Sequence, residues 1–267
     1  IPNAPTSIPN LKSARSAAAS DLVDAQVESV NIVGYQTLVA SGQYFSTGPT
    51  FITVGDANGE WRLGDVIAEG MDPFSDFIQF LSPATAGTIL SATYIDLATS
   101  MSEAGDDSLV GWWDPSDLGG TSLSDQVFTA GTGFLCNFTS TGVSLIYAGE
   151  VLDGSTTVNL SDQQYPMVSN LTPVDLTLGD ISATGFDPFS DFIQFLSVDT
   201  AGTVVSATYI DLATSMSEAG DDSLVGWWDP SDLGGTSLDN HAFPAGAAFL
   251  GNFTSPNVAI VFPDPIL

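Results

Sequence analysis

The chain has 267 residues, 43% of them hydrophobic and only 13% charged, which is too apolar for disorder, and it contains no apolar run of membrane-spanning length. Its formal charge of −29, from 32 acidic residues against three Lys and Arg, opposes phosphate backbones and anionic lipid, so nucleic acid and membrane insertion are excluded as roles. The single cysteine, Cys136, excludes an intrachain disulfide and a thiolate zinc site.

Residues 1–28 read IPNAPTSIPNLKSARSAAASDLVDAQVE, a Pro-, Ser- and Ala-rich stretch that predicts an extended arm with a short helical turn over 20–27. The arm carries Lys12 and Arg15; of the basic residues only Arg62 lies in the body. A start at Ile-Pro-Asn, with neither Met nor apolar leader, is what removal of a signal peptide leaves, and predicts a secreted, extracellular or cell-surface protein.

The body is a duplication. At an offset of 115, DPFSDFIQFLS (72–82) recurs unchanged at 187–197, and the long segment from Ser91 to Leu123 recurs unchanged from Ser206 to Leu238. The copies are placed at 29–151 and 152–267. About six extra residues of the first copy, around 55–60, read as a loop insertion.

Short runs of Val, Ile, Thr, Phe and Tyr between Gly, Asp, Pro and Ser predict strands and turns, with little helical periodicity. In the first copy the expected strands are 30–39, 44–54, 76–81, 89–97, 109–113, 132–138 and 143–147. About seven strands per copy suit a β-sandwich. The fold class is therefore all-β, two tandem, homologous β-sandwich-like domains behind an N-terminal arm. Alternation in GFLCNF places Phe134, Cys136 and Phe138 on one face; Gly251 stands where Cys136 does, which makes that cysteine packing rather than a nucleophile.

Asp106, Asp107, Asp114 and Asp117 crowd the loops of DDSLVGWWDPSD, and Asp221, Asp222, Asp229 and Asp232 repeat them. Calcium, the one candidate cofactor, accepts such an oxygen shell, but the spacing is not that of an EF-hand, and turn initiation explains the same residues. In DPFSD, Asp72 and Asp187 read as turn residues ahead of a strand that begins at Asp76. Consecutive strand residues point to opposite faces, so of Trp112 and Trp113, and of Trp227 and Trp228, one is core and the other is available to an interface or to stacking on a sugar. His241 and Cys136 are each unmatched in the other copy, which argues against triads and dyads. Glu103 with Asp106, or Glu218 with Asp221, could supply a glycosidase pair, yet nothing in their spacing sets them across a cleft. No enzyme is expected. Sequons begin at Asn137, Asn159, Asn170 and Asn252.

The segments NIVGYQTL (31–38), DFIQFL (76–81), GWWD (111–114), AGTGFL (130–135) and YAGEV (147–151) resemble a domain common in secreted proteins of verrucomicrobia and related bacteria. The resemblance covers the first copy; the second lacks the GYQT segment and ends differently. It implies an exported surface protein without established catalytic residues. Together these readings predict a structural subunit, a homo-oligomer assembling head to tail into a filament or surface layer through a cationic arm set against acidic domains. The alternative is a surface carbohydrate-binding or adhesion module, with calcium and a glycan as its ligands.

Overall fold

A computed structural model describes residues 33–40, 43–54, 56, 59–82, 87–160, 165–196 and 204–265; the arm at 1–28, with Lys12 and Arg15, lies outside the described residues. The described chain is mostly β. In the first copy β1 (Val33–Val39), β2 (Tyr44–Thr47), β3 (Glu60–Arg62), β4 (Val66–Glu69), β5 (Phe77–Leu81) and β6 (Ile89–Ile95) precede a short helix, α1 (Leu97–Glu103). After it come β7 (Gly111–Trp113), β8 (Val127–Thr129), β9 (Phe134–Asn137) and β10 (Ser144–Glu150). All pairing is antiparallel, in the orders β1-β10-β4, β2-β9-β5-β6-β7 and β3-β8.

The second copy repeats this with β11 (Thr156–Asn159), β12 (Met167–Ser169), β13 (Leu176–Thr177), β14 (Ser182–Thr184), β15 (Phe192–Leu196), β16 (Val204–Ile210), α2 (Leu212–Glu218), β17 (Gly226–Trp228), β18 (Ala242–Phe243), β19 (Ala248–Asn252) and β20 (Ala259–Phe262). The sheet orders are β11-β20-β14, β12-β19-β15-β16-β17 and β13-β18. Pairing registers fix the correspondence. Ser46 opposes Leu135 and Met167 opposes Leu250, so Ser46 matches Met167, whereas Trp61 opposite Phe128 matches Leu176 opposite Phe243. The extra residues of the first copy thus fall between β2 and β3.

Period-two alternation explains the strands. In β5 Ile78 and Phe80 point inward, and in β9 Phe134 and Cys136 do, with Phe138 beyond them buried on the same side. A Cβ on Gly251 would run into the ring of Phe253, so the second copy fills with an aromatic ring the space that a cysteine occupies in the first. Residues of all three first-copy sheets converge on one core, centred on Trp112, Tyr147, Phe134, Ile78 and Leu145; a second core gathers Trp227, Phe249, Phe243, Phe262 and Ile193. Each central indole is satisfied: Trp112 Nε1 donates to Val66 O at 2.6 Å and Trp227 Nε1 to Ile181 O at 2.9 Å.

Three expectations need correction. The strand expected over 44–54 ends at Thr47, because Gly48 and Pro49 leave the sheet to meet the other copy. The strand expected to reach Leu97 stops at Ile95, where Asp96 caps α1 by accepting the Thr99 N–H at 2.7 Å. Strands β3, β4 and β8 were not among those expected, and each is only three or four residues long.

The copies join through paired backbone contacts. Thr47 bridges to Ala247, and the counterparts of those two residues, Val168 and Thr132, bridge to each other. Gly48 N donates to Gly246 O at 3.2 Å, and the matching Ser169 N donates to Gly131 O at 2.8 Å. A contact in which residue i of one copy meets j of the other, and j meets i, is isologous, as in a two-fold dimer. Residues 32–267 accordingly form one compact unit.

Candidate functional site

The aspartates of the DDSLVGWWDPSD loops turn out to be occupied locally. Asp106 accepts the Ser108 N–H at 2.9 Å, Asp114 accepts both Ser116 N (2.8 Å) and Ser116 Oγ (2.6 Å), and Asp117 accepts Thr121 Oγ1 (2.6 Å). Asp221, Asp229 and Asp232 do the same with Ser223, Ser231 and Thr236. Hydrogen bonds from the serines hold the carboxyls of Asp106, Asp114, Asp221 and Asp229 below the usual range. Asp107 and Asp222 are exposed in the same turns. Among the described residues no group of three or more His, Cys, Asp or Glu side chains is gathered as a metal would need.

Nor do the tryptophans offer a stacking platform. Trp112 and Trp227 are fully buried, and Trp228 is 9% exposed. Trp113 is partly buried, and the Nε1 groups of Trp113 and Trp228 donate to Leu109 O and Leu224 O, each at 2.7 Å. These indoles hold their own loops.

Carboxylates with a structural purpose lie elsewhere. Asp76 is 1% exposed: its Oδ1 accepts Thr139 N (2.6 Å), Thr139 Oγ1 (3.0 Å) and Ser140 N (3.1 Å), while its Oδ2 accepts Asp72 N (2.9 Å). Asp72 in turn accepts Phe74 N and Ser75 Oγ. Asp191 makes the same set in the second copy. Burial raises both carboxyls, but the hydrogen bonds outweigh it and the net shift is downward. What each clamp presents is a phenylalanine: Phe74 is 76% exposed and Phe189 is 74% exposed.

Near each phenylalanine, topology places more exposed apolar side chains. The Asp72–Asp76 turn leads into β5, α1 leaves β6, and Val110 enters β7, all at one end of the five-stranded sheet. Leu97 and Met101, one helical turn apart, are exposed, as are Leu212 and Met216.

A second exposed apolar surface exists in the first copy alone. On the outer face of β1-β10-β4, Tyr35, Val39 and Ile67 are exposed, with Thr37, Ile146 and Ile67 in one row across the strands. The same register in the second copy puts Ser155, Asn159 and Ser182 where Tyr35, Val39 and Ile67 stand.

Burial drives the Cys136 thiol well up, away from nucleophilic use. His241 Nε2 is buried without a partner, its ring 4.7 Å from that of Phe195. An open groove of about 270 Å³ beside Trp227 is lined by Asp180, Tyr209 and Asp239, yet Asp180 accepts Thr177 N and Oγ1, and Asp239 accepts Trp227 N. Burial, with Asp239 and Asp211 nearby, pushes the Tyr209 phenol up. Among the described residues no helix is long and apolar enough to cross a membrane. Comparison of the chain with protein-family models, with curated proteins and with solved structures returns no match.

Proposed function

We propose that the chain is a secreted structural subunit that assembles with further copies of itself, head to tail, into an extracellular filament or surface layer. In this reading each copy is a β-sandwich domain, a five-stranded sheet over a three-stranded one, and 1–28 is the assembly arm. The observation that carries it is the pair of clamped phenylalanines. A ring three-quarters exposed on a turn whose backbone is fixed by a buried carboxylate has already lost most of the freedom that a contact would remove. Large apolar side chains held in this way mark contact surfaces rather than free solvent boundary. Their duplication across the two-fold joint gives one chain two equivalent points of attachment.

An adhesion module binding sugars is the weaker reading, because the four paired tryptophans stabilise loops or the core. Negative-stain micrographs and light scattering, taken as concentration and salt are raised, test the proposal: polymers should form, more readily where salt screens the −29 charge. Only monomers at every concentration would sink it.

A further inference from the structure

We infer that the outer face and open edge of β1 in the first copy are the docking site for residues 1–20 of a second molecule. This rests on the self-assembly reading above and names a further contact for it, besides the clamped phenylalanines.

The duplication supplies an internal comparison. Both copies build a three-stranded sheet with the same order and register, so their outer faces can be compared position by position. The second copy presents Ser155, Asn159 and Ser182, as a sheet facing water should. The first presents Tyr35, Val39 and Ile67 at 69%, 62% and 46% exposure. The edges differ as well. β1 pairs along seven residues with β10, and among the described residues it has no other strand partner. β11 has four residues. A long, apolar edge strand is a template for pairing, and natural sheets blunt such edges unless they are used.

Charge selects the occupant. The acidic body of a neighbour is repelled, whereas residues 1–20 contain Lys12 and Arg15 and no acidic residue. In an extended arm Leu11 provides an apolar side chain to lie beside Val39 on the outer face. Pro2, Pro5 and Pro9 favour extended backbone and are tolerated in a strand added at an edge. Twenty extended residues reach at most about 70 Å, ample to follow the edge of a seven-residue strand. An arm given by each molecule to the next is a heterologous contact, and it propagates.

The test grafts the second copy's surface onto the first. The full-length Tyr35→Ser, Val39→Asn, Ile67→Ser variant should keep the wild-type melting temperature, since these side chains are exposed, and should need at least a tenfold higher concentration to assemble. A synthetic peptide of residues 1–20 should bind wild type and not the variant. In a separate Leu11→Cys, Val39→Cys chain, with buried Cys136 left in place, mild oxidation should give a ladder of disulfide-linked multimers. Assembly of the triple variant at the wild-type concentration overturns the docking site and leaves self-assembly standing. Disulfides formed only within single chains overturn the transfer between molecules. If wild type never assembles, the self-assembly reading fails by itself, and the peptide still decides the site: binding that the graft abolishes supports it, and no binding overturns it.

Discussion

The Asp76 carboxylate accepts the Thr139 backbone N–H at 2.6 Å across 63 residues of chain, tying the turn before β5 to the loop after β9. Asp191 and Thr254 repeat the tie at 2.7 Å. Both carboxylates are about 1% exposed and accept further bonds, so truncation to Ala leaves part-buried N–H groups without their acceptor.

Replacing Asp76 by Ala should therefore cost about 2–4 kcal/mol at pH 7, read from urea unfolding. The pH dependence has a definite sign. Both carboxyls are shifted below the ordinary 3.8, so their contribution is complete above that value and is lost as pH falls through the lower, folded-state pKa. Wild-type stability should drop on acidification below about pH 4, and an Asp76→Asn, Asp191→Asn double variant should start lower and lose less. Parallel pH profiles for the two proteins would refute the assignment.

At the joint between the copies, Thr47 is 1% exposed and its hydroxyl meets both Tyr147 OH (3.1 Å) and Gly246 O (2.5 Å). Thr47→Val keeps the shape and removes the hydroxyl, leaving a buried phenol and a carbonyl short of a partner, at a cost of about 1–3 kcal/mol. Gly133→Val should do more damage, because a Cβ there would lie 2.9 Å from Ala248 Cβ and 3.0 Å from Thr47 O. Calorimetry should show one transition for wild type and two resolved transitions for Gly133→Val, since the joint couples the cores. A single unshifted transition in the variant would count against the coupling.

Much of the fold was legible because it is written locally. Alternation in FIQFL and GFLCNF identifies which side chains enter the core, and the repeat of long identical segments shows the duplication directly. The helices were hidden because their periodicity runs the wrong way: Leu97 and Met101 face solvent, and the buried residue of α1 is Ser100, whose Oγ donates to Asp106 O at 2.7 Å. The cap at Asp96, three residues before Thr99, was the available signal. The tryptophan pairs were half legible. Strand alternation puts one of Trp112 and Trp113 in the core without saying which, and closure of the loop over Trp113 by its own Nε1 bond to Leu109 O is a loop property that no spacing records. Likewise the end of β2 at Thr47 is set by contact with Ala247, far along the chain.

The sequon at Asn170 is a structural motif. Asn170 is 0% exposed; its Nδ2 donates to Val174 O and Phe243 O, both at 3.1 Å, and its Oδ1 accepts Thr172 N and Oγ1. In a glycosylating host the folded chain should carry no sugar at Asn170, which peptide mapping by mass spectrometry can check. Asn170→Ala should lower stability by about 2–4 kcal/mol, since it strands several buried partners at once.

Phe74 and Phe189 offer the converse test, a change expected to alter association without altering the fold. Their rings contribute little to either core at 76% and 74% exposure, while the Asp72 and Asp76 bonds that shape the turn go to backbone groups and Ser75, not to the ring. Phe74→Ser with Phe189→Ser should accordingly leave the unfolding free energy from urea titration within about 0.5 kcal/mol of wild type. Removing both apolar knobs should raise the concentration at which light scattering first detects polymers, with each single variant giving a smaller shift, because the two sites are equivalent by the two-fold joint. If instead the double variant unfolds early, the rings are packing elements and not points of contact. If it folds and polymerises as wild type does, assembly runs through other surfaces.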